Sequence, residues 1–281
     1  MISIALFILS AILLLLLIRK SSYFLKFFMF SLLVAAFLFV NVKNGHVAMA
    51  FSSLKNWIQA TNLKEGDLSE AQDPFPIVKI KDRVLLNAPA VSQFPELPRG
   101  CEVTSLAMML NQAGIQTNKM ELAEKIKKDP TPLKIDNGQI FYGNPNDGFV
   151  GNMYDLNQAG FGVYHKPIAE LANSFLPGKI KDLTGASFEE LTTHLSDGRS
   201  VWVIINTSFK KLDDNQFQTW DTPTGKVKIT YKEHSVLLTG YDKQFVYFND
   251  PLSGEKNKKA PLKEFADAWV QMGSQAITYF R

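Results

Sequence analysis

Cysteine is almost absent from this chain: Cys101 is the only one in 281 residues. A single thiol excludes an intramolecular disulfide. It also excludes the usual cysteine zinc sites, which need paired Cys or His at short spacing. The histidines are few and scattered, at His46, His165, His194 and His234, with no H-E-x-x-H. No G-x-x-x-x-G-K-[ST] loop is present, which excludes an ATPase of that type. These absences lead us to expect neither a metal nor a cofactor.

Acidic residues are missing from the first 60 positions, which carry Arg19, Lys20, Lys26, Lys43 and Lys55 and neither Asp nor Glu. The net charge of +3 therefore arises at that end. The remainder is close to neutral and offers no basic stripe, so no nucleic-acid partner is expected.

Long apolar runs are present, and they too are confined to the N-terminal end. Residues 2–18 (ISIALFILSAILLLLLI) are uninterrupted, and 27–42 (FFMFSLLVAAFLFVNV) follow Lys26. A spanning helix needs about 20 apolar residues, with about 17 as the lower limit. The first run meets that limit. The second meets it if Tyr23–Leu25 are included and Lys26 snorkels. With no polar face before Asn44, residues 1–43 read as a transmembrane helical hairpin rather than two core helices. The basic loop at 19–26 places the loop in the cytoplasm and both ends outside. The runner-up is a cleaved signal, for which Ala48-Met49-Ala50 supplies an A-x-A pattern. Residues 44–75 turn polar and read as a juxtamembrane linker, and 76–281 as an extracytoplasmic domain.

Within that domain, a strand is expected at Val84–Ala88 and a helix at Cys101–Gln112, ended by Gly114. A second helix is expected at Lys119–Lys128, stopped by Asp129-Pro130. Residues 130–152 read as a long irregular stretch whose aromatics argue for a functional lid, and 153–159 as helical. Ser187 and Glu190 form a capping box for a helix at Phe188–Ser196. Strands follow at Ser200–Asn206, Val227–Tyr231, Ser235–Tyr241 and Phe245–Asn249, then a helix at Leu262–Val270 and a strand at Ala276–Phe280. Helices first and an antiparallel sheet afterwards define an α+β fold.

The lone thiol sits behind a glycine at a helix start, where the backbone favours a thiolate. His234 opens a strand and Asp250 ends the next. A hairpin turning at 242–244 places them across from each other within about 5–8 Å. A carboxylate there accepts from one imidazole nitrogen and leaves the other for a thiol. His234 follows Cys101 by roughly 130 residues, the separation of papain-like enzymes. Gln93, in the lead-in loop, can donate to an oxyanion beside the Cys101 N–H. Glu102 is expected to cap its own helix, and Trp202 to lie in the core. Asn206 and Trp220 are expected to line the cleft, and His165 and His194 to be solvent or rim residues.

Gln93 with ELPRGCEVTSLAMMLN, GNPNDGFVG (143–151), DLTGASFEEL (182–191) and HSVLLTGYD…VYFNDPLSG (234–254) resembles the family-39-like cysteine peptidases. These are stand-alone bacterial relatives of the papain-like domains that remove double-glycine leaders from bacteriocin precursors. The resemblance covers roughly residues 80–275. It implies a papain-like fold, Cys101 as nucleophile, His234 as base, Asp250 as orienting acid and Gln93 as oxyanion donor. A peptide or protein substrate follows, with the membrane as a second partner through the hairpin. The alternatives are a cell-wall amidase or transglutaminase-like acyl transferase, and a catalytically silent peptide-binding domain.

Overall fold

The computed structural model describes residues 80–280, part of a compact unit that spans Pro76–Arg281. The expected hairpin at 1–43, the linker at 44–75 and the Ala48–Ala50 pattern lie outside the described residues. Among the described residues no helix is long and apolar enough to cross a membrane.

The elements run β1 (Val84–Leu85), α1 (Cys101–Gln112), α2 (Lys119–Lys125), β2 (Lys128–Asp129), β3 (Lys134–Asp136), β4 (Gln139–Phe141), β5 (Phe149–Val150), α3 (His165–Phe175) and β6 (Ile180–Asp182). They continue with α4 (Phe188–Ser196), β7 (Val201–Asn206), β8 (Gln218–Thr222), β9 (Gly225–Ile229), β10 (Glu233–Tyr241), β11 (Phe245–Asp250), β12 (Glu255–Pro261), α5 (Leu262–Gln271) and β13 (Ala276–Tyr279). The main sheet has the order β12-β11-β10-β7-β13-β6, with β1 added to β10. Its pairings are all antiparallel, so this is the α+β arrangement that the element order implies.

Strand β7, VWVIIN, is buried on both faces, and its alternation divides the core. Trp202 and Ile204 join Leu106, Met109 and Leu110 of α1 on one face, where α2 and α3 also pack. Val201, Val203 and Ile205 join Phe188, Leu191, Phe265 and Trp269 of α4 and α5 on the other. Trp202 is fully buried in the core, as expected. α1 is thus a central helix clamped against the sheet. Its N-terminus, with Cys101, lies beside the start of β10, since Ser105 Oγ donates to the Ser235 carbonyl at 3.1 Å.

Several local expectations are corrected. α2 ends at Lys125, because Ile126 turns extended and Lys128–Asp129 pairs in parallel with β5. Residues 153–159 form turns rather than a helix. Asn152 Oδ1 accepts the N–H groups of Tyr154 and Asp155, and Asp155 Oδ1 accepts that of Asn157, so side chains satisfy the donors that a helix would use. The 130–152 stretch contains β3, β4 and β5, and β4 is joined to β8 through Phe141 and Asp221. Amphipathic helix α3, with Ile168, Leu171 and Ala172 buried, was not expected, nor were β6, β8 and β12. His194 is buried rather than at a rim, and burial with the nearby Arg199 charge lowers its pKa to about 4.

Candidate active site

Gly100 explains why the cysteine follows a glycine. A Cβ at that position would lie 2.5 Å from the Leu97 Cβ, and Leu97 is fully buried. Only glycine lets the chain turn this tightly into α1. The lead-in loop before it is held by Lys119, whose Nζ donates to the carbonyls of Ser92, Gln93 and Phe94 at 2.7, 3.0 and 3.2 Å. Lys119 also pairs with Glu96 at 2.6 Å. The Gln93 side chain is buried, with Nε2 donating to the Pro98 carbonyl at 2.8 Å. One of its amide hydrogens is therefore engaged within the loop and the other remains available, while Oε1 is buried without a partner. The Gln93 N–H donates to the Pro251 carbonyl at 2.9 Å, tying this loop to the residue after Asp250.

His234 and Asp250 are brought together in the interior. Nε2 lies 2.8 Å from Asp250 Oδ1, and both side chains are almost inaccessible to solvent. β10 pairs with β11 as far as Leu237 and Asn249, and the contact forms just beyond this register. Asp250 Oδ1 also accepts the Leu252 N–H at 2.9 Å. Oδ2 accepts from Ser253 Oγ at 3.0 Å and from Lys258 Nζ at 2.7 Å. Burial alone would raise the Asp250 pKa. The hydrogen bonds and charges of His234 and Lys258 outweigh it and hold the carboxyl well below its usual range. The imidazole ring rests edge-on to Phe209, 6.2 Å between centroids, and Lys258 Nζ lies 5.0 Å above the same phenyl ring. With Nε2 committed to Asp250, Nδ1 is the nitrogen left for chemistry.

The thiol is turned elsewhere. Cys101 Sγ donates to Glu102 Oε2 at 3.3 Å and receives the Ser235 N–H, and no hydrogen bond joins it to His234. Leu237 faces α1, whereas Val236 and Leu238 face α4 and α5, so by alternation Glu233 lies on the α1 side of β10. The thiol meets the Ser235 N–H, which lies in the plane of the sheet beside His234. The expected depressed thiol pKa is corrected as well. Burial raises it well above the ordinary value, and the Glu102 and Glu233 charges push in the same direction, against the Ser235 N–H. The favourable helix N-terminus is overridden by desolvation and like charge.

Glu102 does more than cap its helix. Its Oε1 accepts the Val163 N–H at 2.7 Å and its Oε2 accepts the thiol. Burial lifts its pKa to about 7, although its own N–H, Val163 and the thiol act to lower it. Burial, and then the Glu102 charge, push the Glu233 pKa well above the ordinary carboxylate range. Asn206 is the cross-strand partner of Glu233, but neither its side chain nor that of Trp220 hydrogen-bonds to these groups. Asn206 holds its own loop by donating to the Lys210 carbonyl, and the Trp220 indole donates to the Gly143 carbonyl at 3.0 Å, bracing the 143–151 segment. His165 sits partly exposed with Nδ1 2.6 Å from Asp182, near a cavity of about 350 Å³ that Tyr164, Thr230 and Gln275 also line.

Glu233, Lys258 and Lys119 were missed from sequence. Glu233 could have been found, since it is the strand neighbour of His234 and must face the other way. The two lysines gave no local signal, because their partners lie on other elements.

A helix-borne thiol followed in sequence by a sheet-borne His–Asp pair is the layout of the papain-like class. The comparisons carry this further. The chain matches the Peptidase_C39 like family over residues 85–277, and it belongs to that family. The uncharacterized protein YvpB of Bacillus subtilis strain 168 is 49% identical over 183 residues, which make up 65% of this chain and 70% of that protein. The crystal structure of a candidate C39-like peptidase from Bacillus anthracis is 50% identical with a TM-score of 0.67, covering 72% of this chain and 98% of that one. The α+β fold is thus that of a C39-like peptidase.

Proposed function

We propose that this chain is a cysteine peptidase working outside the cytoplasm, anchored in the membrane by an N-terminal hairpin at residues 1–43, with a peptide or protein as substrate. The carrying observation is the buried His234–Asp250 pair at the start of the strand whose Ser235 N–H meets the Cys101 sulfur. Asp250 fixes the imidazole with its proton on Nε2, so that Nδ1 accepts the thiol proton. The thiolate attacks the acyl carbon, and the carbonyl oxygen takes the negative charge. The Cys101 N–H and the Gln93 amide stabilise that oxyanion, each worth about 3–4 kcal/mol in such sites. The imidazolium then protonates the leaving amine, and water hydrolyses the thioester. The braced 143–151 segment and the cavity beside Tyr164 are the surfaces proposed to receive the substrate chain.

The neutral resting thiol favours one second reading, a silent peptide-binding domain. Steady-state hydrolysis separates the two. An enzyme loses turnover in Cys101→Ala while keeping peptide binding. A binding domain shows no turnover in any form.

A further inference from the structure

The acids around the thiol play no part in the chemistry above, yet they are the groups nearest to it. Cys101, Glu102 and Glu233 each bring one side-chain atom to within 4.8 Å of one another. Gly162 marks the place where the two carboxyls converge. A Cβ there would meet Glu102 Oε1 at 2.3 Å and Glu233 Oε2 at 3.1 Å. From the segment before α3, the Val163 N–H donates to Glu102 and the Tyr164 phenol stands close enough to feel both acids. From β10 comes Glu233 itself, and from α1 the thiol. Among the described residues no Lys, Arg or His forms an ion pair with either carboxyl. Glu233 Oε1 is shut off from solvent without a hydrogen-bond partner. Two carboxyls converging on one point, with no cation, cannot both ionise at neutral pH.

We propose that the pair carries one negative charge in the resting enzyme, held on Glu102 against the thiol, and that this charge is a brake on the nucleophile. Glu102 is a positioning residue. Its carboxylate holds the thiol hydrogen and opposes formation of a second charge at sulfur. Glu233 stays protonated beside it. When Glu102 takes up a proton, the repulsion is removed and the protonated carboxyl becomes a hydrogen-bond donor to sulfur. Release of the brake belongs to the acid side of neutrality, because the burial that makes the charge costly also lifts the Glu102 titration to about 7.

This inference rests on Cys101 being the nucleophile, and its test reads the thiol directly, without peptidase turnover. The alkylation rate of Cys101 by iodoacetamide is measured from pH 5.5 to 9 in the full-length protein, in Glu102→Gln and in Glu233→Gln. Glutamine retains an oxygen for the Val163 N–H. Glu102→Gln should alkylate about tenfold faster at pH 8, equivalent to a thiol more acidic by about one pKa unit. The gain should shrink toward onefold at pH 5.5, where Glu102 in the native protein is already protonated. Glu233→Gln exchanges one neutral group for another and should change the rate far less at pH 7 to 8. Two results overturn the proposal: an unchanged profile in Glu102→Gln, or an equal acceleration in Glu233→Gln. If alkylation responds to Glu102 and not to His234→Ala, the brake stands and the His234-based mechanism fails.

Discussion

Asp250 accepts four hydrogen bonds on two oxygens, one of them from the proposed base His234 and one from the Lys258 ammonium. Replacing it with asparagine tests both roles. The asparagine oxygen can still accept from His234 Nε2 and the Leu252 N–H, as an amide does in related thiol enzymes. Its NH2 group must then face Ser253 Oγ and the Lys258 ammonium, which places a donor against a donor. Breaking a buried charged pair costs about 3–5 kcal/mol. Lys258 is partly exposed, 29% for its side chain, and can turn to water, so the lower figure applies. We expect Asp250→Asn to lose about 3 kcal/mol, a fall in Tm of roughly 6–12 °C for a domain of about 200 residues. Adding Lys258→Met removes the clash and should restore about 1 kcal/mol, together with part of the alkylation rate at Cys101. Urea unfolding and iodoacetamide kinetics on the two variants read both effects. A double variant no better than the single would refute the four-bond account of Asp250.

Other expectations follow from the same geometry. Asp250 has a lowered folded pKa, so its contribution is complete above the unfolded value of about 3.9 and is lost as pH falls toward the folded one; acid unfolding of Asp250→Asn should therefore be less steep than that of the native protein. Glu102 has a raised folded pKa, so its contribution is fully present below about 4.3 and is lost as pH rises through about 7; Glu102→Gln should gain stability over the native protein at pH 8 and not at pH 4, measured by Tm. Lys119→Met unties three carbonyls of the loop that carries Gln93; kcat should fall about tenfold or more with a smaller change in KM, and equal kcat would remove Lys119 from the account. Gly100→Ala drives a Cβ into Leu97 and should cost about 1–3 kcal/mol in urea unfolding while slowing Cys101 alkylation.

Much of this was legible in the chain. The 3.6-residue pattern of 101–112, the N-cap at Ser187 and the apolar run VWVIIN each declare a single element, although Glu190 binds Lys181 rather than closing the expected capping box. The element order then leads to an α+β fold. His234 and Asp250 could be paired because a hairpin fixes its own register. What escaped was whatever depends on residues distant in sequence. Helix α3 follows a loop without an N-cap side chain, and its proline sits in the first turn, where it reads as a breaker. The short strands β3 and β4 pair with each other, and β4 is held by β8, which lies far off in sequence. The thiol's state was read from the helix terminus, without the burial of Cys101 or the Glu233 carboxyl that strand alternation turns toward α1. Trp220 was expected to line the cleft. Its indole is used instead to hold the Gly143 carbonyl.

The central claim is that Cys101, served by His234, cleaves peptide bonds. The most direct measurement incubates the full-length protein, Cys101→Ala and His234→Ala with a diverse peptide mixture and reads new termini by mass spectrometry. The account predicts discrete cleavages by the native protein, none above background in Cys101→Ala, and a loss of at least about a hundredfold in His234→Ala. Cleavage by Cys101→Ala at the native rate would contradict it.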